Sequence, residues 1–432
     1  MTAGRGPVRA GAASALALLL VALSVLCGCS AGSARQVVHV LGPWTGAAEE
    51  TFRAVVAPFE RQTGITVEYQ GSAESDSVLA DRVAGGAPPE LAVFDSPRKV
   101  ATYARAGRLT ALDGLLAASD GGSDYGPGWA ELGAVDGTPY AVPVTATVKS
   151  LVWYSPRSLD DQGRQPPRDW ARLTALSGEA AAAGIAPWCV GLADGSASGR
   201  PGTDWLEDIV LTQSGLEVYD GWASGRIAWA SPQIRLAWQT WGATIAEDRL
   251  RGGRRGALNG RFGDNGAFLL AHNPQCLLEH ADSAAIGNYR QYNPPPKPGQ
   301  DIDFTRFPAV DPRYDGDLEV AGDLVAMVHG TPGARRLLTF LTSADAQSRW
   351  VAGGTVLSPD RAVPPAAYPD ELSRRLARTL LEARAVRFDA SDQMPQELQD
   401  AFYRAVLTFV DDPSRLDELL AGLDRIAASL GR

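Results

Sequence analysis

An alternation of strand-like and helix-like segments begins at residue 37, and it constrains the fold of this chain more than any other feature. Val37–Leu41 is a continuous apolar run of the kind found in buried strands. The apolar residues that follow recur at helical spacing as far as about Gln62, and Gly64 supplies the stop. Alternating apolar residues over 65–69 predict a second strand. This order is a βαβ unit, which pairs its strands in parallel, so the sequence predicts an α/β protein.

The ends of the predicted strands indicate where a ligand would bind. Leu91–Phe94 supplies a third strand, which is followed at once by Asp95. Trp44 follows the first strand after a short break. Open α/β sheets bind their ligands beyond the carboxyl ends of the strands, so both residues are candidates for such a site. A cap of its own loop is the second interpretation of Asp95.

The length of the chain and two long apolar runs predict two lobes. At 432 residues, the chain exceeds one ordinary hydrophobic core. Val144–Tyr154 and Leu318–Val328 are long strand-like runs, and a strand as long as the first could cross from one lobe into the other. Asp136-Gly137 predicts a hairpin turn before the first of them. Lys149 is the only charge in the first run, where a solvent-facing position is as good an interpretation as a site residue.

The stretch 186–209 combines small residues with a predicted helix start. An apolar run at Trp188–Leu192 stops in about ten residues that are almost wholly Gly, Ala, Ser and Asp. A helix is predicted to follow, with Asp204 as its N-cap and Glu207 three residues later. Trp205 in the first turn would offer a flat apolar face beside polar groups, which suits a sugar ring. A surface loop with a core Trp fits the same stretch.

The N-terminus has the pattern of an export signal. Arg5 and Arg9 precede an uncharged apolar run over 10–26, which is typical of a signal peptide. The run closes on 26–29 (LCGC), which resembles the lipobox of bacterial lipoproteins, where the Cys after a small residue is acylated. We therefore expect 1–28 to be a lipoprotein signal peptide, Cys29 to carry the lipid, and 29–35 to be a tether. A simple secreted protein is the alternative.

The net charge and the cysteine count of the processed chain limit the partners and the cysteine pairing that we expect. Removal of the signal peptide takes away two arginines and no acidic residue, so the net charge falls from −10 to −12. Such a chain would repel phosphate backbones, and no basic stripe offsets this, so no nucleic-acid partner is expected. Cys189 and Cys276 are the cysteines left in an oxidising compartment, where two cysteines most often pair. Two unrelated buried thiols are the other possibility.

Signatures of common catalytic and cofactor sites are missing from the sequence. The four histidines do not stand at metal-ligand spacing with a Cys or a carboxylate, and there is no Walker loop or dinucleotide fingerprint. The segment 195–199 (GSASG) superficially looks like a nucleophile elbow, but its central residue is Ala197. We expect no metal and no cofactor. Carboxylates are plentiful, so residue counts do not exclude a glycosidase pair.

Several short segments, in their order along the chain, resemble one family. The lipobox, the tether and the βαβ start are followed by 63–67 (TGITV), 88–94 (PPELAVF) and 358–359 (SP). This order resembles the carbohydrate-binding lipoproteins of ABC importers. Further segments are similar to the group that serves α-glucosides, which are relatives of maltose-binding protein: 149–154 (KSLVWY), 187–189 (PWC), 202–205 (GTDW), Cys276 and 387–395 (RFDASDQMP). The resemblance covers essentially the whole mature chain.

The resemblance implies a two-lobe, periplasmic-binding-protein-like α/β fold with about three interlobe crossings and a central ligand cleft. The crossings are expected near 145–148, 319–323 and 366–370. Lobe one would comprise 36–146 plus 321–366, and lobe two 147–320 plus 367–432.

The same resemblance, together with the strand ends, gives a set of expected ligand-binding residues. Lobe one would contribute Trp44, Thr45, Asp95 and Ser96, and lobe two would contribute Trp205, Asp389, Ser391 and Asp392. Tryptophans would stack on the sugar, and carboxylates would accept hydrogen bonds from its hydroxyl groups. Helix capping before Pro395 is the other interpretation of Asp389 and Asp392.

The implied function is that of a receptor without covalent chemistry. We expect a monomer on the extracytoplasmic face of the cell membrane, which captures an α-glucoside or another oligosaccharide and delivers it to the permease subunits of an ABC transporter. The alternative from another class is a secreted glycoside-active enzyme that uses two of the cleft carboxylates. A sensor on the same scaffold would have the same sequence features.

Overall fold

The computed structural model describes residues 1–4, 36–113, 125 and 128–431. Cys29, the predicted tether and nearly all of the predicted signal peptide therefore lie outside the described residues. Within the described ranges, no helix combines the length and the apolar character that a membrane span requires.

The elements of the first part of the chain alternate as the sequence predicts. They are β1 (Val37–Gly42), α1 (Ala47–Thr63), β2 (Thr66–Gly71), α2 (Ser75–Ala84), β3 (Leu91–Phe94), α3 (Pro97–Arg105), α4 (Trp129–Leu132), β4 (Ala134–Val135), β5 (Thr138–Pro139) and β6 (Ala141–Pro143). Gly64 ends α1 with a positive φ of 70°, and its N–H donates to the carbonyl of Glu60. Asp136-Gly137 forms the predicted hairpin turn between β4 and β5, and both residues have positive φ.

The middle of the chain is mostly helical, with short strands between the helices. It contains β7 (Thr147–Val148), β8 (Leu151–Tyr154), α5 (Pro156–Asp161), α6 (Trp170–Ala182), α7 (Arg200–Ser214), α8 (Leu216–Ala223), α9 (Pro232–Thr244), α10 (Gly253–Asn259), α11 (Asn265–Leu269), β9 (Leu278–His280), α12 (Ala285–Tyr289) and β10 (Asp303–Arg306). The last part contains β11 (Asp317–Ala321), β12 (Leu324–Met327), α13 (Pro332–Leu341), α14 (Ala344–Val351), α15 (Glu371–Leu381), β13 (Ala385–Phe388), α16 (Gln396–Asp411) and α17 (Leu416–Ser429).

A five-stranded sheet in the order β2-β1-β3-β12-β6 carries the first predicted strands. β1 lies parallel to β2 and to β3, so the predicted βαβ unit is confirmed. β12 is antiparallel to both of its neighbours. The carboxyl ends of β1 and β3 therefore meet at one edge of this sheet, where Trp44 and Asp95 follow them.

Both long strands predicted from the apolar runs are wrong, because each run is divided between two sheets. The first run gives β7, which pairs with β11, and β8, which pairs with β9 and β10. The second gives β11, in the sheet β13-β11-β7, and β12, in the five-stranded sheet. A Cβ on Gly322, between β11 and β12, would lie 2.2 Å from the carbonyl oxygen of Thr145. The chain thus changes sheets after β6 and after β11, and these two passages touch.

Separate hydrophobic cores lie on the two sides of these passages. One cluster fills the space between the five-stranded sheet and helices α1, α13 and α14. The largest cluster packs β8 against α6, α7, α9 and α16. The exact lobe boundaries, and the third crossing expected near 366–370, stay predictions.

A disulfide joins Cys189 to Cys276, with the two Cα atoms 5.4 Å apart. Both cysteines are buried, and the N–H of Cys189 donates to the carbonyl of Leu278 in β9. The predicted pairing is therefore confirmed, and it ties the end of the 186–190 segment to the start of β9.

Candidate ligand-binding site

Lys149 lies at the centre of a buried ionic network between β7 and β8. The residue is only 3% exposed. Its Nζ lies 3.0 Å from Oδ2 of Asp204 on α7 and 2.9 Å from Oδ2 of Asp389 after β13. The solvent-facing interpretation of Lys149 is wrong, since the ammonium group joins three segments of the chain inside the protein.

The N-cap predicted at Asp204 is also wrong, because the N-cap of α7 lies five residues earlier. Gly199 occupies the N-cap position with φ 101°, and Pro201 stands in the first turn. Asp204 is consequently an interior helical residue, and it is buried together with Glu207 and Asp208. A helix that buries three acidic residues has to supply each of them with a partner.

Glu207 holds the loop that carries three of the predicted site residues. Its Oε2 accepts a hydrogen bond of 2.6 Å from the N–H of Ala390, and its Oε1 accepts one of 3.2 Å from the N–H of Ser391. Oδ1 of Asp389 accepts from Oγ of Ser391 at 2.7 Å and from the N–H of Asp392 at 3.0 Å. The predicted trio Asp389, Ser391 and Asp392 is therefore assembled on one short turn.

The helix-capping interpretation applies to Asp389 only in a local sense. Its Oδ1 accepts a hydrogen bond from the N–H of Asp392 inside the 3₁₀ turn Ser391–Gln393, whose N-cap position is Ala390. The following helix, α16, begins after Pro395 without a side-chain cap.

The protonation states in this loop differ between neighbouring carboxyls. Burial alone would raise the pKa of Asp389, but the Lys149 ammonium and the hydrogen bonds lower it to about 2. Burial and the charge of Asp389 raise the pKa of Asp392 to about 7. Burial, with the neighbouring carboxylates, also raises the pKa of Glu207 well above its ordinary value. Asp389 is therefore the ionised member of the loop, and Asp392 titrates near neutral pH.

Another buried carboxyl, that of Glu319 on β11, lies beside this network. One oxygen from each of Asp204, Glu319 and Asp389 lies within 4.8 Å of the others, which is a spacing compatible with a metal ion. The Lys149 ammonium already supplies positive charge between two of them. Burial and the nearby acids raise the pKa of Glu319 well above its ordinary value. We therefore assign no metal to this group.

Trp44, which follows β1, is packed into the core beside the five-stranded sheet. Its ring packs against Phe52, Tyr69 and Trp350 with centroid distances of 5.1–5.8 Å, and the residue is 8% exposed. Nε1 of Trp44 donates to Oδ2 of Asp323 at 2.9 Å. Thr45, the next residue, is exposed.

Asp95 and Ser96 stand at the start of α3, at the same sheet edge as Trp44. Asp95 is exposed and pairs with Nζ of Lys99 at 2.7 Å. Ser96 is buried, and its Oγ has no hydrogen-bond partner among the described residues. The charge of Asp95 contributes to the raised pKa of Asp392, and α3, which begins two residues after Asp95, lies against the Ser391–Gln393 turn.

The expectation that Trp205 presents a face to a ligand is wrong in this structure. Trp205 is 2% exposed. Its ring lies 4.6 Å from the rings of Trp188 and His280 and 6.0 Å from that of Phe307. It belongs to the largest hydrophobic core, because the early start of α7 turns this position inward.

Sequence reasoning missed several polar residues that organise the site. Asp323 accepts hydrogen bonds from Trp44 and from Oγ1 of Thr145, and it follows directly on Gly322 at the passage between the sheets. The sequence did contain a signal for the Lys149–Asp204 pair. One apolar run holds a lone Lys, and the predicted helix after Asp204 holds acidic residues among apolar ones. Opposite charges in two buried segments require each other.

Comparison with known proteins identifies the family. Residues 43–348 match the family model described as bacterial extracellular solute-binding protein.

The chain belongs to this family.

Two relatives and one solved structure illustrate the similarity. The chain is 35% identical to the osmoprotective compounds-binding protein GgtB of Synechocystis sp., over 87% of this chain and 90% of the relative. It is 31% identical to the alpha-glucosides-binding periplasmic protein AglE of Rhizobium meliloti, over 90% of this chain and 86% of the relative. The structure of the bacterial solute receptor AcbH superposes with a TM-score of 0.79 at 17% identity, covering 92% of this chain and all of that one. The predicted two-lobe α/β fold of solute-binding proteins is confirmed.

Proposed function

We propose that this family member captures a sugar between its two lobes, outside the cytoplasm, and delivers it to the permease of an ABC transporter. An α-glucoside or a similar small glycoside is the best supported ligand. The two relatives above are named for osmoprotective compounds and for alpha-glucosides, and both match over almost their whole length. We further propose that the protein acts as a monomer.

The observation that carries this proposal is the contact between the start of α3, which follows Asp95, and the turn that holds Asp392. One carboxyl, that of Asp95, follows a strand of the five-stranded sheet, and the other, that of Asp392, comes from the opposite lobe in the predicted partition. Carboxylates accept hydrogen bonds from sugar hydroxyls. Trp44 is 8% exposed, so it offers a sugar no more than the edge of its ring. The acidic character of this face disfavours anionic ligands.

Binding fits the loop better than glycoside hydrolysis does. Neighbouring carboxyls with pKa values of about 2 and about 7 would suit an acid and a base. However, Asp389 is buried, and its carboxylate oxygens are engaged by Lys149, Ser391 and the N–H of Asp392. A carboxylate held in this way does not reach a glycosidic bond.

Calorimetry with maltose and trehalose, combined with product analysis, tests the proposal. We expect binding of one sugar per chain with no change in the recovered sugar. Turnover of either sugar would support the enzyme instead. Failure to bind any member of a wider oligosaccharide panel would contradict the sugar assignment.

We also propose that Cys29 carries a lipid that anchors the protein to the membrane. Cys29→Ala should abolish acylation and release the protein from the membrane fraction. Cys27→Ala is the matched control, and it should be processed normally because Gly28 still precedes Cys29. Diacylglycerol on the Cys29→Ala protein, detected by mass spectrometry, would contradict the assignment.

A further inference from the structure

A cavity of about 560 Å³ lies between α3 on one side and α8 and β13 on the other. None of the predicted ligand-binding residues lines it. Its polar lining comes from Arg98, Thr102 and Arg105 of α3, from Asp220 of α8, and from Arg387 and Gln393 around β13. A volume of this size is in the ordinary range of small-molecule sites.

The positive charges around the cavity are unequally compensated. Both carboxylate oxygens of Asp220 accept hydrogen bonds from Arg387, at 2.5 and 2.9 Å, so the two charges of this pair compensate each other. Arg105 lies 3.6 Å from Asp136, and both side chains are largely exposed, which makes the pair weak. An exposed carboxylate, that of Glu131, also lines the cavity.

Arg98 has no carboxylate ion-pair partner among the described residues. Its Nε is buried and has no hydrogen-bond acceptor among the described residues. A buried donor on a charged group is costly to leave unpaired, and a guanidinium is matched geometrically by a carboxylate or a phosphate. Arg98 also stands in the first turn of α3, where the helix dipole favours negative charge.

We propose that this cavity binds a small anion that carries a carboxylate or a phosphate group, with Arg98 as its main partner. The cavity shares no residue with the predicted sugar site but adjoins it, because Pro97 and Gln393 of its lining directly follow Ser96 and Asp392. An anion bound there favours the lobe arrangement in which α3, α8 and β13 lie together. The net charge of −12 opposes such binding from a distance, so the affinity depends on contacts inside the cavity.

Isothermal titration of the purified full chain with citrate and, separately, with inorganic phosphate tests this proposal. We expect one equivalent to bind, and Arg98→Gln to weaken the affinity at least tenfold. Arg98→Lys keeps the charge but loses the planar fork, so it should bind with intermediate affinity. Binding of citrate alone or of phosphate alone would identify the anion group, and either result supports the site.

Arg336→Gln is the matched control, because it removes the same charge from an exposed position on α13. It should bind both anions like the unaltered protein. Equal affinities for the unaltered protein and for Arg98→Gln would overturn the proposal, as would the absence of any binding at millimolar anion. Sugar affinity of Arg98→Gln should be unchanged, which shows that the variant is folded and separates this proposal from the sugar-binding function.

Discussion

At the residue scale, the buried carboxylates of Asp204 and Asp389 depend on the ammonium group of Lys149 as their counter-ion. Lys149→Met keeps the length of the side chain but leaves the carboxylates of Asp204 and Asp389 buried without their cation. Removal of one partner from a buried pair typically costs about 3–5 kcal/mol, so the free energy of unfolding should fall by about that amount. Urea denaturation at pH 7 measures it.

A second variant shows whether the unpaired charges cause the loss. Adding Asp204→Asn and Asp389→Asn to Lys149→Met removes both anions and should recover part of the stability. A decrease of less than about 1 kcal/mol for Lys149→Met alone would mean that water reaches the network.

Asp392 should make stability depend on pH between the ordinary aspartate value and neutrality. Its pKa is about 7 in the folded chain and about 3.9 when unfolded. Between these values the unfolded chain loses the proton and the folded chain keeps it, so stability falls as the pH rises from about 4 to about 7. The difference in unfolding free energy between the protein and its Asp392→Asn variant should decline over this window. A flat difference would show that Asp392 titrates normally.

Trp205→Ala should damage the fold and leave the affinity of the folded fraction largely intact. Truncation of a buried aromatic residue costs about 3–5 kcal/mol, and this ring contacts Trp188 and His280 in the largest core. Thermal unfolding and calorimetry on the folded fraction separate the two effects. A selective tenfold loss of sugar affinity at unchanged stability would return Trp205 to the binding site.

Residue types at strand ends were predictable, whereas side-chain directions on α7 were not. Trp44 and Asp95 could be placed because a strand end fixes the edge on which the next residue stands. Trp205 was misplaced because an N-cap at Asp204 would leave it in the first, partly exposed turn. The true start at Arg200 moves it a turn deeper into the helix, and the choice between these starts depends on tertiary contacts of Gly199.

At the element scale, the start of α7 depends on the absence of a side chain at Gly199. Its φ is 101°, and a Cβ there would lie 2.3 Å from the carbonyl oxygen of Tyr403 on α16. Gly199→Ala should therefore combine backbone strain with a steric clash, and it should destabilise the protein by clearly more than 1 kcal/mol. Gly195→Ala is the control, because Gly195 also has positive φ but open space around its Cβ position.

Chemical denaturation of both variants distinguishes the two contributions. Gly195→Ala should show only the cost of the left-handed backbone. If the two variants lose equal stability, α7 and α16 can separate without penalty and the contact does not fix the helix start.

Elements that depend on residues close together in sequence were predictable. Strands whose limits depend on the sheet with which they pair were not. The βαβ unit and the hairpin at Asp136-Gly137 depend on periodicity and turn residues close in sequence. The runs 144–154 and 318–328 are apolar on both sides of their breaks, because each half is buried in a different sheet. Periodicity carries no information about such a change. Its local signs were Lys149 between β7 and β8 and Gly322-Asp323 between β11 and β12.

At the scale of the whole molecule, the disulfide lies within one predicted lobe, whereas the proposed sugar site lies between the two lobes. The disulfide links two residues within 147–320, which the predicted partition assigns to lobe two. It should therefore stabilise that lobe without restraining movement between the lobes. Asp95 and the 389–392 turn come from opposite sides, so a sugar that bridges them makes more contacts when the lobes are close.

A sugar should consequently shift the population towards a more compact form. A ligand shifts such an equilibrium only by its difference in affinity for the two forms. A bridging sugar binds the compact form more tightly, because it contacts both lobes there. Small-angle X-ray scattering should show a smaller radius of gyration at saturating sugar. An unchanged radius at saturation would mean that the lobes do not move on binding.

The contribution of Asp95 to this closure can be isolated with a closely matched pair of variants. Asp95 and Asp76 both pair with Lys99, and their side chains are 54% and 53% exposed. Asp95→Asn removes a charged acceptor for a sugar hydroxyl, and such a hydrogen bond is worth roughly 1.5–3 kcal/mol. The sugar concentration at half-compaction should therefore rise at least tenfold in Asp95→Asn and stay unchanged in Asp76→Asn. Equal shifts in the two variants would trace the effect to Lys99 or to net charge, and Asp95 would then have no direct contact with the ligand.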